Sequence, residues 1–282
     1  MTRRDALKAG AAAAALIPAG VSAATPSAGR LKQSVARWCY AKIPIEDLCR
    51  AAANVGITGM DLVAPKDWPV CRKYGITPTM VQGAGTFQVG WNDKSAHDKL
   101  EEQARTSIAR AADAKVPNVI SLFGIRHGMS DQEGIDNCIA GLNRVKKFAE
   151  DHDVTLCIEM LNSKVDHKDG IQDYQGDHSA FGVAVIKGVD SPRVKLLYDG
   201  YHMQIMEGDL IQTIRDNIQY IAHFHCAGVP GRHEIDGTQE VNWHAVAKAI
   251  ADLNFPGYIA QEFLPAGDPL TSLKQAVEIL TV

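Results

Sequence analysis

From residue 33 onward the chain alternates short β-rich apolar runs with longer segments whose apolar residues recur every three to four positions. The short runs are Ser34–Cys39, Gly59–Val63, Thr77–Val81, Asn118–Phe123, Thr155–Met160, Val194–Tyr198, Tyr220–His225 and Tyr258–Gln261. Several, such as Val119-Ile120-Ser121-Leu122-Phe123, are apolar almost throughout, as expected of a parallel strand covered on both faces. Helical spacing is clearest over Ile45–Val55, Ala96–Ala114, Gln132–Glu150, Asp209–Asn217, Trp243–Leu253 and Ser272–Leu280. Ser95, Ser130 and Asn242 stand where helix N-caps are expected. Repeated βα units with eight strands and no compositional break predict one α/β domain, a closed (β/α)8 TIM barrel over residues 33–282.

The first residues follow another pattern. Thr2-Arg3-Arg4-Asp5-Ala6-Leu7-Lys8 precedes an alanine-rich apolar run from Ala9 to Ile17, then Pro18, Gly20 and the small residues Ser22, Ala23 and Ala24. This is the layout of a basic n-region, a short apolar region and a cleavage site. The paired arginines before a weakly apolar run resemble a twin-arginine signal. The run is too short for a bilayer, which needs roughly 20 apolar residues. The expectation is a signal peptide over 1–24, a short linker over 25–32, and delivery to the periplasm by the twin-arginine export machinery, with no stable membrane anchor. A Sec signal or a frayed alanine-rich helix is the alternative.

Composition narrows the function classes. Hydrophobic residues make up 46% of the chain, enough for a large core, and the formal net charge is −4. No stripe of Lys and Arg with interleaved aromatics is present, so no nucleic-acid partner is expected. The six cysteines form no CxxC spacing, and Cys39, Cys157 and Cys226 fall in apolar runs, which reads as buried free thiols. No G-x-S-x-G, Walker or Rossmann fingerprint occurs. Two connections after strands are long, Gln82–Asp93 and Asn162–His178; in a barrel both lie on the C-terminal face, where substrates bind.

The candidate chemistry stands at the ends of the late strands. The fifth strand ends in Glu159, the sixth in Asp199, the seventh in His225 and the eighth in Glu262. Four adjacent strands therefore bring four metal-competent side chains to one rim. A charge there is costly unless it is paired or ligates a cation. An oxygen-rich set with one imidazole suits one divalent ion, Mn²⁺, Mg²⁺ or Co²⁺ ahead of Zn²⁺. Taken singly, each residue could equally be a satisfied carboxylate or a core histidine.

Cys157-Ile158-Glu159-Met160-Leu161-Asn162, Tyr198-Asp199-Gly200-Tyr201-His202 running on to Asp209, Gly228-Val229-Pro230-Gly231-Arg232-His233-Glu234, and Gln261-Glu262-Phe263-Leu264-Pro265 together resemble the hydroxypyruvate isomerase family. That family belongs to the xylose isomerase-like TIM barrels, with ketose 3-epimerases as relatives. The resemblance implies an isomerase in which Glu159, Asp199, His225 and Glu262 hold the metal and Glu159 and Glu262 serve as acid and base. It also implies that His202 and Arg232 hold substrate oxygens of a small sugar or hydroxy-keto acid. His202 could instead only orient Asp199, and Arg232 could instead form a rim salt bridge with Glu234. His225 stands where many hydroxypyruvate isomerases carry Gln and the epimerases carry His, which with the long Asn162–His178 loop points to a larger ketose or a 3-keto-glycoside. Trp38 is a candidate aromatic wall of the pocket, or simply a packed ring. Asp177 and His178 are candidates for substrate contact, or for capping a helix that starts at Ser179. Rival readings are a keto-glycoside lyase or epimerase on the same site, an abasic-site endonuclease-like phosphodiesterase, and a sugar-binding protein without catalysis. Self-association stays open.

Overall fold

A computed structural model describes residues 29–165 and 173–282. The proposed signal peptide lies outside the described residues, as does part of the Asn162–His178 loop. The chain runs through β1 (Lys32–Ala36), α1 (Ile45–Asn54), β2 (Gly59–Asp61), α2 (Trp68–Lys73), β3 (Thr77–Gln82), α3 (His97–Asp113), β4 (Asn118–Leu122), α4 (Asp131–Asn143) and α5 (Lys146–Asp151). It continues through β5 (Thr155–Glu159), α6 (Ser179–Val189), β6 (Val194–Asp199), α7 (Gly200–Met206), α8 (Leu210–Asn217), β7 (Ile221–Cys226), α9 (Trp243–Asp252), β8 (Tyr258–Gln261) and α10 (Pro269–Leu280). Every strand pairs in parallel with the next, and β8 closes on β1, with Val35 opposite Gln261. The barrel expected from the alternation is the fold observed.

Two apolar regions hold it together. The larger packs the outward strand residues against the helices and their connections, as where Phe224 of β7 meets Phe255, just past α9, edge-on at 4.8 Å between ring centres. The smaller lies inside the barrel and consists of Met80, Ile120, Cys157 and Leu197, one from each of β3 to β6. Because strand side chains alternate between faces, Glu159 and Asp199 stand on the interior face two residues above Cys157 and Leu197. On the β3–β6 side an apolar plug therefore floors the chemical layer.

Several boundaries differ from the pattern read off the chain. The first strand ends early, and Arg37–Tyr40 winds into a 3₁₀ turn. Arg37 holds that turn by donating to the carbonyls of Tyr40 (2.5 Å) and Ile43 (3.0 Å). Cys39 thus sits in the turn and is half-buried, while the other five cysteines are buried, and all six are free. β1 opens at Lys32, the last residue of the expected linker. The expected helix Gln132–Glu150 breaks after Asn143. There the guanidinium of Arg105 donates to the Arg144 carbonyl at 2.9 Å, satisfying an acceptor outside the helical ladder. Ser130 and Asn242 do cap α4 and α9, accepting from Glu133 N and Ala245 N. Ser95 does not cap α3. It lies in a short 3₁₀ turn capped by Asp93, whose carboxylate accepts from Ser95 N at 2.9 Å. The last helix starts at Pro269 rather than Ser272, with Asp268 as its cap.

Candidate metal centre

Glu159 is the last residue of β5, Asp199 the last of β6, His225 the penultimate residue of β7, and Glu262 follows β8 directly. All four are buried, and one donor atom from each lies within 4.8 Å of the others. His225 Nδ1 stands between the two glutamates, 3.2 Å from Glu159 Oε1 and 2.9 Å from Glu262 Oε2. Three carboxylates in a buried place exceed the one guanidinium that reaches them among the described residues, so a divalent cation fits the charge and the donor chemistry of the set.

That guanidinium is Arg232. Its Nη2 lies 2.5 Å from Glu262 Oε2 and 3.3 Å from Asp199 Oδ2, and it spans Trp38 and Tyr201, 5.4 and 5.2 Å from the two ring centres. The alternative pairing with Glu234 does not form. Glu234 instead accepts from Ala266 N, Gly267 N and Ser272 Oγ, which fixes the loop after β8. Arg232 also sits at φ 55°, directly after Gly231 at φ 90°. A non-glycine residue in the left-handed region costs energy, which its four contacts offset.

The surroundings drive the acids apart. Burial pushes Glu159 up, opposed by His225, and pushes Asp199 up to about 7, opposed by Arg232. Burial acts on Glu262 in the same sense, but His225 and Arg232 overcome it and hold this carboxylate well below its ordinary range. Burial alone would lower His225; the carboxylates of Glu262, Asp61 and Glu159 reverse that and raise it well above its ordinary value. Pairs of titratable groups with opposed surroundings are what acid–base chemistry at one site requires.

The remaining predicted residues divide into two groups. Trp38 joins the cluster: its indole N–H donates to Glu262 Oε1 at 2.8 Å, and its ring is 41% exposed, so it forms a wall with an open face. His202 is buried on α7, with Nε2 3.3 Å from Asp199 Oδ2 and Nδ1 2.7 Å from Asn162 Nδ2. This is the contact of a residue that orients Asp199. Asp177 and His178 stand apart from the four. Asp177 accepts from Ser163 Oγ at 2.7 Å and pairs with His178 Nδ1 at 2.7 Å. Neither side chain caps α6; the carboxylate of Glu207 accepts from Ser179 N instead.

Two residues escaped the sequence reading. Asp61, the last residue of β2, lies 2.6 Å from His223 Nε2 and 3.2 Å from His225 Nε2 through its Oδ2. His223 precedes His225 by two positions, so strand alternation alone places both on one face. Asp61 was hidden because the pattern extended the second strand to Val63, which put it in the middle of a strand rather than at the end.

Comparison with known proteins places the chain among barrels of one family. The sequence profile of the xylose isomerase-like TIM barrel family matches residues 49–281. A 2-oxo-tetronate isomerase from Pectobacterium atrosepticum is 26% identical over 241 residues, 81% of this chain and 89% of the relative. A Homo sapiens protein with a provisional hydroxypyruvate isomerase name is 25% identical over 91% of this chain and 87% of its own. A D-psicose 3-epimerase from Agrobacterium fabrum is 30% identical over 48% of this chain and 44% of its own. Among solved structures, a family 2 AP endonuclease from Brucella melitensis superposes with a TM-score of 0.76 at 21% identity, covering 86% of this chain and 97% of that one. At that identity the likeness is one of fold alone.

Proposed function

The chain belongs to the xylose isomerase-like TIM barrel family, and from that premise we propose that it is a divalent-metal-dependent isomerase or epimerase of a small sugar or hydroxy-keto acid. One observation carries the reading: Glu159 and Glu262 converge from two strands on either side of His225 Nδ1, and their surroundings push one carboxyl up and the other down. The relatives named as 2-oxo-tetronate isomerase and D-psicose 3-epimerase support the same class of reaction.

A bound Mn²⁺, Mg²⁺ or Co²⁺ would polarise a carbonyl and its neighbouring hydroxyl, making the C–H between them acidic. Glu159, Asp199, His225 and Glu262 would hold that ion. The chain's own groups do the rest. Glu262, kept ionised by His225 and Arg232, takes the proton, and an enediolate of the substrate results. Glu159, on the other side of His225, takes the substrate hydroxyl proton and returns it at the neighbouring carbon or the opposite face, while Glu262 passes its proton to the remaining substrate oxygen. The fork of Arg232 binds substrate oxygens, His202 steadies Asp199, and Trp38 closes one side.

His225 near the end of β7 and the long loop after β5 support a ketose or a keto-glycoside, and with the latter a lyase or epimerase acting through the same enediolate. The test is a screen of metal-replete protein against hydroxypyruvate, free ketoses and 3-keto-glycosides in deuterated water, with products read by NMR. Interconversion with deuterium entering beside the carbonyl is expected. Undiminished turnover after chelation overturns the reading.

The same proposal includes export. Arg3 and Arg4 before the weakly apolar run support a twin-arginine signal, by which a folded, metal-loaded protein reaches the periplasm. Replacing both with Lys should trap the precursor inside the cell, and normal delivery of that variant would refute the route.

A further inference from the structure

Asp61 is wholly buried beneath the four-residue centre, and three donors converge on it. Thr79 Oγ1 donates to Oδ1. His223 Nε2 and His225 Nε2 approach Oδ2 at 2.6 and 3.2 Å. A carboxylate held at both oxygens has no freedom to turn.

The geometry at His225 gives this clamp a purpose. An imidazole offers a lone pair from one nitrogen only while the other carries the proton, and the hydrogen bond made by the second nitrogen decides which is which. His225 Nδ1 faces Glu159 and Glu262, while Nε2 faces Asp61. A carboxylate accepts and does not donate, so Asp61 fixes a proton on Nε2, and the proton that a cation displaces is the one on Nδ1, whose lone pair then faces the centre. His223 obeys the same logic: its Nδ1 is buried and finds no hydrogen-bond partner among the described residues, so the proton belongs on Nε2, where Asp61 accepts it. His223 and Thr79 thereby lock Asp61, and Asp61 locks His225.

We propose that Asp61, clamped by Thr79 and His223, is a positioning residue that sets the tautomer and ring orientation of His225 and through it the divalent-cation affinity of the centre. The inference rests on the metal reading above and extends it to a residue on the opposite half of the barrel. Such partners typically change metal affinity by about 10- to 100-fold.

The experiment titrates the full chain with Mn²⁺, reads free ion by electron paramagnetic resonance, and follows the His225 ring nitrogens by ¹⁵N NMR in the chain loaded with diamagnetic Mg²⁺. Asp61→Asn keeps the size but offers an amide N–H where His225 needs an acceptor. Binding weaker by about 10- to 100-fold is expected, together with loss of the single Nε2–H tautomer. In a His225→Gln background the same substitution should weaken binding no further. Wild-type affinity in Asp61→Asn, or an equal loss in both backgrounds, overturns the proposal while leaving the metal reading intact. A wild type that binds no Mn²⁺ overturns both. Two Mn²⁺ per chain, falling to one in Asp61→Asn, overturns it in favour of a second cation site at Asp61, His223 and His225. Should Asp61→Asn fail to fold, Thr79→Val removes one hydrogen bond and keeps the carboxylate. Roughly threefold weaker binding is then expected, and unchanged binding overturns the proposal.

Discussion

The late strands β5, β6, β7 and β8 bring Glu159, Asp199, His225 and Glu262 to the rim, whereas β1 to β4 end in Ala36, Asp61, Gln82 and Leu122. One half of the barrel thus carries charge at its mouth. The other carries a single acid, set beneath His225, and an aromatic edge supplied by Trp38. Both halves use the same alternation and the same burial, so the difference is chemical rather than architectural. On the proposed reading the reacting groups lie on one side and the surfaces that hold and shape on the other. Arg232, reaching from the loop after β7 to Glu262, Asp199 and the Trp38 ring, is the contact that joins them.

Breaking the charged half should cost most. Chelation should abolish turnover, with Mn²⁺ or Co²⁺ restoring it, and saturating metal should raise the melting temperature; ion at 100 times its Kd stabilises by about 2.7 kcal/mol. Next come Glu159→Gln and Glu262→Gln, which keep side-chain size and one oxygen while removing the basic carboxylate. Each should lose about 10²- to 10⁴-fold in turnover and still fold. Near wild-type turnover in both would make these carboxylates ligands only, and His202 the first place to look for the base.

Acidity separates the halves more finely. Glu159, Asp199 and His225 all hold protons more tightly than usual, and a cation must displace those protons. Mn²⁺ affinity, measured by calorimetry, should therefore rise with pH, by about tenfold per unit for each proton released. For the metal-free chain the sign is opposite. Asp199 is raised from 3.8 to about 7, so the stability it contributes is full below 3.8 and lost as pH rises through about 7. The raised Glu159 and His225 act in the same direction. Glu262, being lowered, loses its contribution only at the acid end, below its ordinary value. Thermal scans without metal should show falling stability over that neutral range, and scans with metal should not.

Smaller effects belong to Arg232, which joins the two halves, and to Trp38 in the holding half. Arg232→Lys keeps the charge but gives up the fork, so KM should rise about tenfold with a smaller change in kcat. Trp38→Phe removes one N–H donor at a partly exposed position and should cost about 1 kcal/mol, roughly fivefold in kcat/KM. A larger loss from Trp38→Phe than from either glutamine variant would reverse the assignment of the two halves.

The sequence makes the charged half legible for a simple reason. Each late strand is a near-continuous apolar run, so a single Glu, Asp or His at its end stands out against the background. Asp61 offers the same signal at the end of Gly59-Met60-Asp61, but Val63 downstream prolongs the apolar run and disguises the strand's end. The turn at Arg37–Tyr40 depends on Arg37 reaching carbonyls up to six residues ahead, which no local periodicity encodes. The break between α4 and α5 likewise depends on Arg105, 39 residues from the carbonyl it satisfies. Asp177 and His178 close a long loop after β5, where Asp177 meets Ser163, Arg126 and His178, and the His178 ring stays half exposed.

The hydrogen bond from Trp38 to Glu262 has a spectroscopic consequence. The other three tryptophans, Trp68, Trp91 and Trp243, are buried, and their indole N–H groups donate to neutral oxygens of Val63, Ser121 and Ala227. Trp38 alone is partly exposed and donates to a charged oxygen, so its emission lies to the red of the rest and varies with the electron density on that carboxylate. An ion, a proton or a sugar oxygen that engages Glu262 should therefore change the red edge of the intrinsic fluorescence, and Trp38→Phe should abolish that change, which would give the centre an optical indicator without a label or a coupled assay.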